Sequence, residues 1–262
     1  MTGLVRAELR KISSTRLWWG LLLAAVVYTA VSAGATAGFA GVEPGGGQPA
    51  SPGLDTASAI RGVYAGAAFS GAYILAMILG ITGMTGEYRY QTITATFLSC
   101  PRRGRVVAAK MAAHLGYGLG YGVVALVTAV VVGAIVIAAR GYALGFSTDG
   151  LGRAMALAVV AVALWTLVGI GIGTLIRNQI VAILVGVFLT FLLEPLVSLA
   201  LHALDWDAVS KYLPSNASTA LTSASNPYVD FLSWWAGGLV LLGYAVVFAA
   251  IGVLLSRRRD IT

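Results

Sequence analysis

The sequence predicts an all-α polytopic membrane protein with six transmembrane helices, and three observations carry that expectation. Only 10% of the 262 residues are charged, where a soluble domain carries about 25%. Hydrophobic residues make up 58% of the chain and the mean hydropathy is +0.87. Six apolar stretches are each long enough to cross a hydrocarbon core about 30 Å thick, which takes roughly 20 helical residues. A surface so poor in charge excludes a soluble enzyme, a disordered chain and a nucleic-acid-binding domain, despite a pI near 9.8. The single cysteine, Cys100, excludes an intrachain disulfide framework or a cysteine-rich metal site.

The spans fall at 17–40, 62–83, 112–139, 154–176, 180–201 and 234–255, and the only charged residue inside them is Glu194. Continuous apolar runs without in-out alternation specify helices rather than barrel strands. Lysines and arginines set the orientation. Thirteen lie at the N-terminus, in the 84–111 connection, at Arg177 and at the C-terminus, against four (Arg61, Arg140, Arg153, Lys211) on the other side. The positive-inside rule makes the richer side cytoplasmic, with both termini there. The basic pI is thus a signal of topology and not of nucleic acid. A basic start, an apolar run and Ala33-Gly34-Ala35 imitate a cleaved signal peptide, but the run continues to Ala40, too far for that reading. Trp18 and Trp19 suit an interfacial anchor for a retained first helix.

Four stretches before or between the spans carry a pattern of their own. Residues 1–16 place Val5, Leu9 and Ile12 at helical spacing with Arg6, Arg10 and Lys11 elsewhere on the wheel, as in a short interfacial helix. The alternative is a plain basic anchor. Residues 41–53 are a Gly/Pro-rich external loop. In the connection 84–111, Ile93 and Phe97 give a short helix one apolar face. Pro101 should end that helix near Ser99 and open a second one carrying Arg102, Arg103, Arg105 and Lys110 into the third span. Composition leaves two readings of this basic element open: a face for a cytoplasmic protein, or a solvated loop on anionic lipid head groups. Residues 202–233, with Trp206, Tyr212, Leu213, Leu221 and Phe231, are too apolar for a disordered tether. They read as short helices on or re-entering the outer leaflet, punctuated by Pro214 and Pro227.

No phosphate-binding loop of the G-x-x-x-x-G-K-[ST] type is present, so no nucleotide site of that kind is expected on this chain. His114 and His202 fall on opposite sides of the membrane, which leaves no catalytic or metal constellation to name. The pairs Gly118/Gly122 and Gly169/Gly173 are small-xxx-small spacings that read as helix packing. Glu194 is a polar point on a pathway, or a partner of Arg153 or Arg140; alternatively, Pro195 ends the helix and leaves Glu194 at the outer interface. Tyr73, Tyr117, Tyr121 and Trp165 either line a pathway or pack.

Two motifs resemble a known family. Glu8, Lys11, Ser14, Arg16 and Trp18 leading straight into a span resemble the start of bacterial ATP-binding-cassette type-2 permeases. Gly86-Glu87-Tyr88-Arg89, then Thr92, Thr94 and Thr96, then Pro101-Arg102-Arg103 and Lys110, resemble the run between the second and third spans of that family. The resemblance covers the whole chain. It implies a permease subunit of a multidrug- or antibiotic-type exporter in the bacterial inner membrane. It also implies that the 84–111 connection is a coupling helix docked on a separate ATPase subunit, with Glu87, Arg89, Thr92, Thr96, Arg102 and Arg103 in or beside the contact. The external segment would form re-entrant helices with Glu194 as a pathway or external-gate candidate. Two ATPase copies carrying ATP and Mg would pair with two permease chains, identical or not. The competing classes are a self-sufficient secondary transporter and a membrane scaffold for a cytoplasmic protein.

Overall fold

A computed structural model describes residues 2–43, 51–99, 102–222 and 232–258 of the chain. All regular structure among them is helical. The order is α1 (Thr2–Ser14), α2 (Leu17–Gly38), α3 (Ala57–Arg61), a π-helical turn Gly62–Gly66, α4 (Ala67–Arg89), α5 (Ile93–Ser99), α6 (Arg103–Ala139), α7 (Leu151–Leu175), α8 (Gln179–Phe188), a second π-helical turn Leu189–Leu193, α9 (Glu194–Ala203), α10 (Asp207–Ser210), α11 (Pro214–Thr222) and α12 (Trp234–Arg258). Six helices are long and apolar enough to cross a membrane: Leu17–Gly38, Ala57–Arg89, Gly104–Ala139, Leu151–Leu175, Gln179–Ala203 and Trp234–Leu255. They match the six expected spans, with the second and third running past the expected limits. Cys100, Pro101, Pro227, Phe231, Arg259 and residues 44–50 of the external loop lie outside the described residues, as do the side chains of Phe97 and Arg103.

α7 is the hub. It packs against α4, α6, α11 and α12, and α2 closes on α4 and α6. Outer helices sort their side chains by size. Along α6, Leu115, Leu119, Val123, Val127, Val131 and Ile135 recur every fourth residue on the exposed face. Tyr121, Ala125, Ala129, Gly133 and Ile137 recur with the same spacing on the buried face. On α2 the buried stripe is Ala25, Thr29, Ala33 and Ala37. With lipid on the outside there is no hydrophobic gain from helix–helix contact, so close approach of small residues supplies the association. The two glycine pairs work in this way. A Cβ on Gly118 would lie 2.7 Å from the Ala163 Cα, and one on Gly122 2.8 Å from the Val159 Cα, across the α6–α7 contact. Gly169 backs onto the Met77 carbonyl, and a Cβ on Gly173 would lie 2.9 Å from the Ile81 carbonyl, across α7–α4.

The helix ends are satisfied by specific groups. Arg140 donates to the carbonyls of Ala37 (2.7 Å) and Ala40 (2.9 Å), capping the orphan acceptors at the end of α2. The Asn178 side chain accepts from the backbone N–H of Ile180 (3.0 Å) and Val181 (3.2 Å), starting α8 with only three residues between it and α7.

Pro195 does not end the fifth span. The π-helical turn at Leu189–Leu193 widens the helix just before it, so the missing Pro195 N–H and its ring are accommodated and α9 continues to Ala203. Tyr121 and Trp165 are packed into the core at 2% exposure each. Trp165 meets Tyr73 edge to face at 5.0 Å, and Tyr73 stacks on Phe69 at 4.7 Å.

Candidate functional site

The site begins with an irregularity in α1. Its inward face holds Ile12 and, one turn earlier, the carboxylate of Glu8, both buried; Leu9, expected on the apolar face, is 38% exposed. α1 packs along the first turns of α6, which presents Lys110. Lys110 has 1% of its side chain exposed, and a buried ammonium must be paired. Its Nζ donates to Glu8 Oε2 at 2.6 Å and to Glu87 Oε1 at 2.9 Å. Lys11 completes a ring, donating to Glu8 Oε1 at 3.0 Å and to Glu87 Oε1 at 2.7 Å. Two carboxylates and two ammoniums balance to zero charge, and each cation serves both anions.

Glu87 lies in the last turn of α4. Its second oxygen, Oε2, accepts from the hydroxyls of Thr92 (2.8 Å) and Thr96 (3.0 Å). The chain reverses after α4 through Tyr90 and Gln91, the latter with φ +56°, and the Thr92 N–H donates to the Glu87 carbonyl at 2.9 Å. α5 is therefore seated on α4 through Glu87, and it also packs against α6, with Ile93 buried. One turn beyond Lys110, His114 is buried against Gly83 of α4, where only a glycine leaves room for the imidazole. Its Nδ1 donates to the Lys110 carbonyl at 2.9 Å, and its Nε2 has no partner among the described residues.

A cleft of about 400 Å³ opens beside the ring between α1, α4 and the start of α8, lined by Lys11, Thr15, Thr82, Glu87, His114 and Gln179 among others. Burial lowers the Lys11 pKa, but hydrogen bonds to Glu87 and Glu8 and the charges of both outweigh it, so the ammonium is held above its ordinary range.

Of the residues the sequence nominated, Glu87, Thr92 and Thr96 converge on this one cluster. Arg89 does not join the ring; it donates to Oε1 of Gln179, which lines the same cleft, at 3.2 Å. Arg102 is exposed just ahead of α6, where its carbonyl accepts from the Arg105 N–H at 2.9 Å. Arg103 opens α6. Glu8, Lys11 and Lys110 were in the motifs but were not nominated as site residues. The available signal was positional: Glu8 shares a face with Ile12, and Lys110 is a lone lysine entering an apolar run.

Glu194 forms a second polar point at the other end of the bundle. It is buried, and its carboxylate accepts the backbone N–H of Ser215 and the Ser215 hydroxyl (2.8 Å), capping the first turn of α11. Neither arginine suggested as a partner reaches it among the described contacts: Arg140 is committed to α2, and no ion pair joins Glu194 to Arg153. α11 is pinned to α7 as well, the Trp165 Nε1 donating to Ser218 Oγ at 2.8 Å. A cleft of about 510 Å³ lined by Glu194, Ser198, His202, Asp207 and Ser215, among others, lies under α10 and α11. Among the described residues no group of three His, Cys, Asp or Glu side chains could hold a metal ion.

Six helices long and apolar enough to cross a membrane, with an N-terminal helix tied by ion pairs to the connection between the second and third, define a polytopic membrane protein. The family described as ABC-2 family transporter protein matches residues 4–193, and the chain belongs to that family. No curated protein matches the sequence.

Proposed function

We propose that this chain is the permease of an ATP-binding-cassette exporter. It moves an amphipathic drug, antibiotic, peptide or lipid-like substrate out of the cell on ATP hydrolysed by a separate subunit. The observation that carries the reading is the seating of α5. A seven-residue helix with exposed Thr94 and Leu98 is held to α4 through Glu87, with exposed Arg102 and Arg105 beside it. A loop that only met lipid head groups would need the arginines but no buried carboxylate to orient a helix. A pre-organised face with a basic rim fits a protein partner that presents acidic groups. ATP and Mg belong to that partner, expected in two copies. The second permease chain completes a pathway between protomers, and the basic end faces the cytoplasm of a bacterial inner membrane.

At the opposite end, Glu194 with Ser215 and Trp165 with Ser218 hold α11 closed over the bundle as an external gate. The test is charge reversal of Arg102 and Arg103 to Glu. Association with the ATPase and export should fall while membrane insertion is unchanged. Normal association after reversal removes the docking assignment.

A further inference from the structure

We infer that Lys110 and Glu8 are positioning residues that transmit movement of the docked connection into the membrane-spanning helices; this rests on the docking role proposed above. The ring Glu8–Lys11–Glu87–Lys110 bridges the two ends of that connection. Glu87 ends α4 before it, Lys110 lies two turns into α6 after it, and α5 between them hangs on Glu87 Oε2 through Thr92 and Thr96. α1 enters the same ring through Glu8 and Lys11, and only Thr15 and Arg16 separate α1 from the first span. A displacement of α5 therefore reaches three spans through one set of side chains.

Apolar residues of similar volume would hold these helices together at least as well as buried charges do. The ring adds geometry. Each ammonium serves two carboxylates on different helices, so moving one helix alone would stretch two short bonds to buried carboxylates. His114 interlocked with Gly83 blocks α4 and α6 from sliding past each other one turn farther in. The four elements thus shift as a unit.

The experiment uses the whole permease with its ATPase in proteoliposomes, in a Cys100→Ser background with Thr222→Cys on α11 as reporter. Three quantities are read: ATPase association, ATP hydrolysis, and the change that ATP causes in the labelling of Thr222→Cys by a membrane-impermeant thiol reagent. Lys110→Met and Glu8→Gln should keep association and hydrolysis while the ATP-dependent change in labelling falls about fivefold or more. Lys110→Arg should restore most of it, as a merely volume-filling role would not require. Should Lys110→Met fail to insert, the paired change Lys110→Met with Glu8→Leu removes one charge of each sign from the ring, leaves the seating of α5 on Glu87 intact and should give the same loss. An ATP response unchanged in these variants, or absent from the intact ring, overturns the inference. Failure of the docking reading is distinguishable, because then the intact chain binds no ATPase at all.

Discussion

Lys110 Nζ lies 2.6 Å from Glu8 Oε2, joining residues 102 positions apart at a point where the lysine is 1% exposed. Removing Lys110 leaves the two buried carboxylates with one half-exposed cation between them, and breaking a buried pair in this way costs about 3–5 kcal/mol. Lys110→Met should lower the unfolding midpoint in detergent accordingly. Combining it with Glu8→Leu should cost clearly less than the sum of the two single changes, because both act on one network. Additive costs would show that the two side chains are not coupled.

Lys11 gives the ring a pH dependence. Its ammonium is held above the ordinary 10.5 by the two carboxylates, although burial opposes this. A raised folded-state value means the stabilisation is complete below 10.5 and is lost as pH rises through the folded value. The difference in unfolding midpoint between the native chain and Lys11→Gln should therefore be constant at neutral pH and shrink only at strongly alkaline pH. A difference that grew with alkalinity would contradict the sign.

The α6–α7 contact depends on absent side chains. Gly122→Leu drives a branched group into the Val159 backbone, since even a Cβ would lie 2.8 Å from its Cα. Overpacking of this kind costs about 1–3 kcal/mol. Gly243→Ala, with nothing within 4 Å of its Cβ position, should leave stability within about 0.5 kcal/mol of the native chain. Equal tolerance at both positions would show that the helices are not in backbone contact at Gly122.

Glu194→Ala strips the cap from α11. Loss of such a cap costs about 1–2 kcal/mol, so Thr222→Cys in the Cys100→Ser background should react about tenfold faster with a membrane-impermeant thiol reagent. An unchanged rate would mean that Glu194 does not hold α11 closed.

The spans were legible because hydrocarbon demands long apolar helices, and Gly118/Gly122 and Gly169/Gly173 were legible because packing in lipid rewards small residues at helical spacing. The ring was not. Glu8, Lys11, Glu87 and Lys110 come from three helices, and a local pattern shows which residues share a face but not which distant faces meet. Leu9 drew the apolar face of α1 one position away from Glu8 for the same reason. Glu194 was recognised as unusual, but its partner is a backbone N–H and a hydroxyl at Ser215, groups that no charge-matching argument would select. A stop at Pro195 was one of two readings, because a proline breaks an α-helical ladder; the π-helical turn before it removes that conflict.

The most direct measurement of the central claim is purification of the native complex in mild detergent, with mass spectrometry of what accompanies the permease, for the native chain and for the Arg102→Glu, Arg103→Glu double variant. A phosphate-loop ATPase should accompany the native chain in stoichiometric amount and be lost from the variant, while the variant still inserts. A native chain free of any such ATPase under conditions that preserve complexes, or an ATPase retained equally by the variant, would contradict the account.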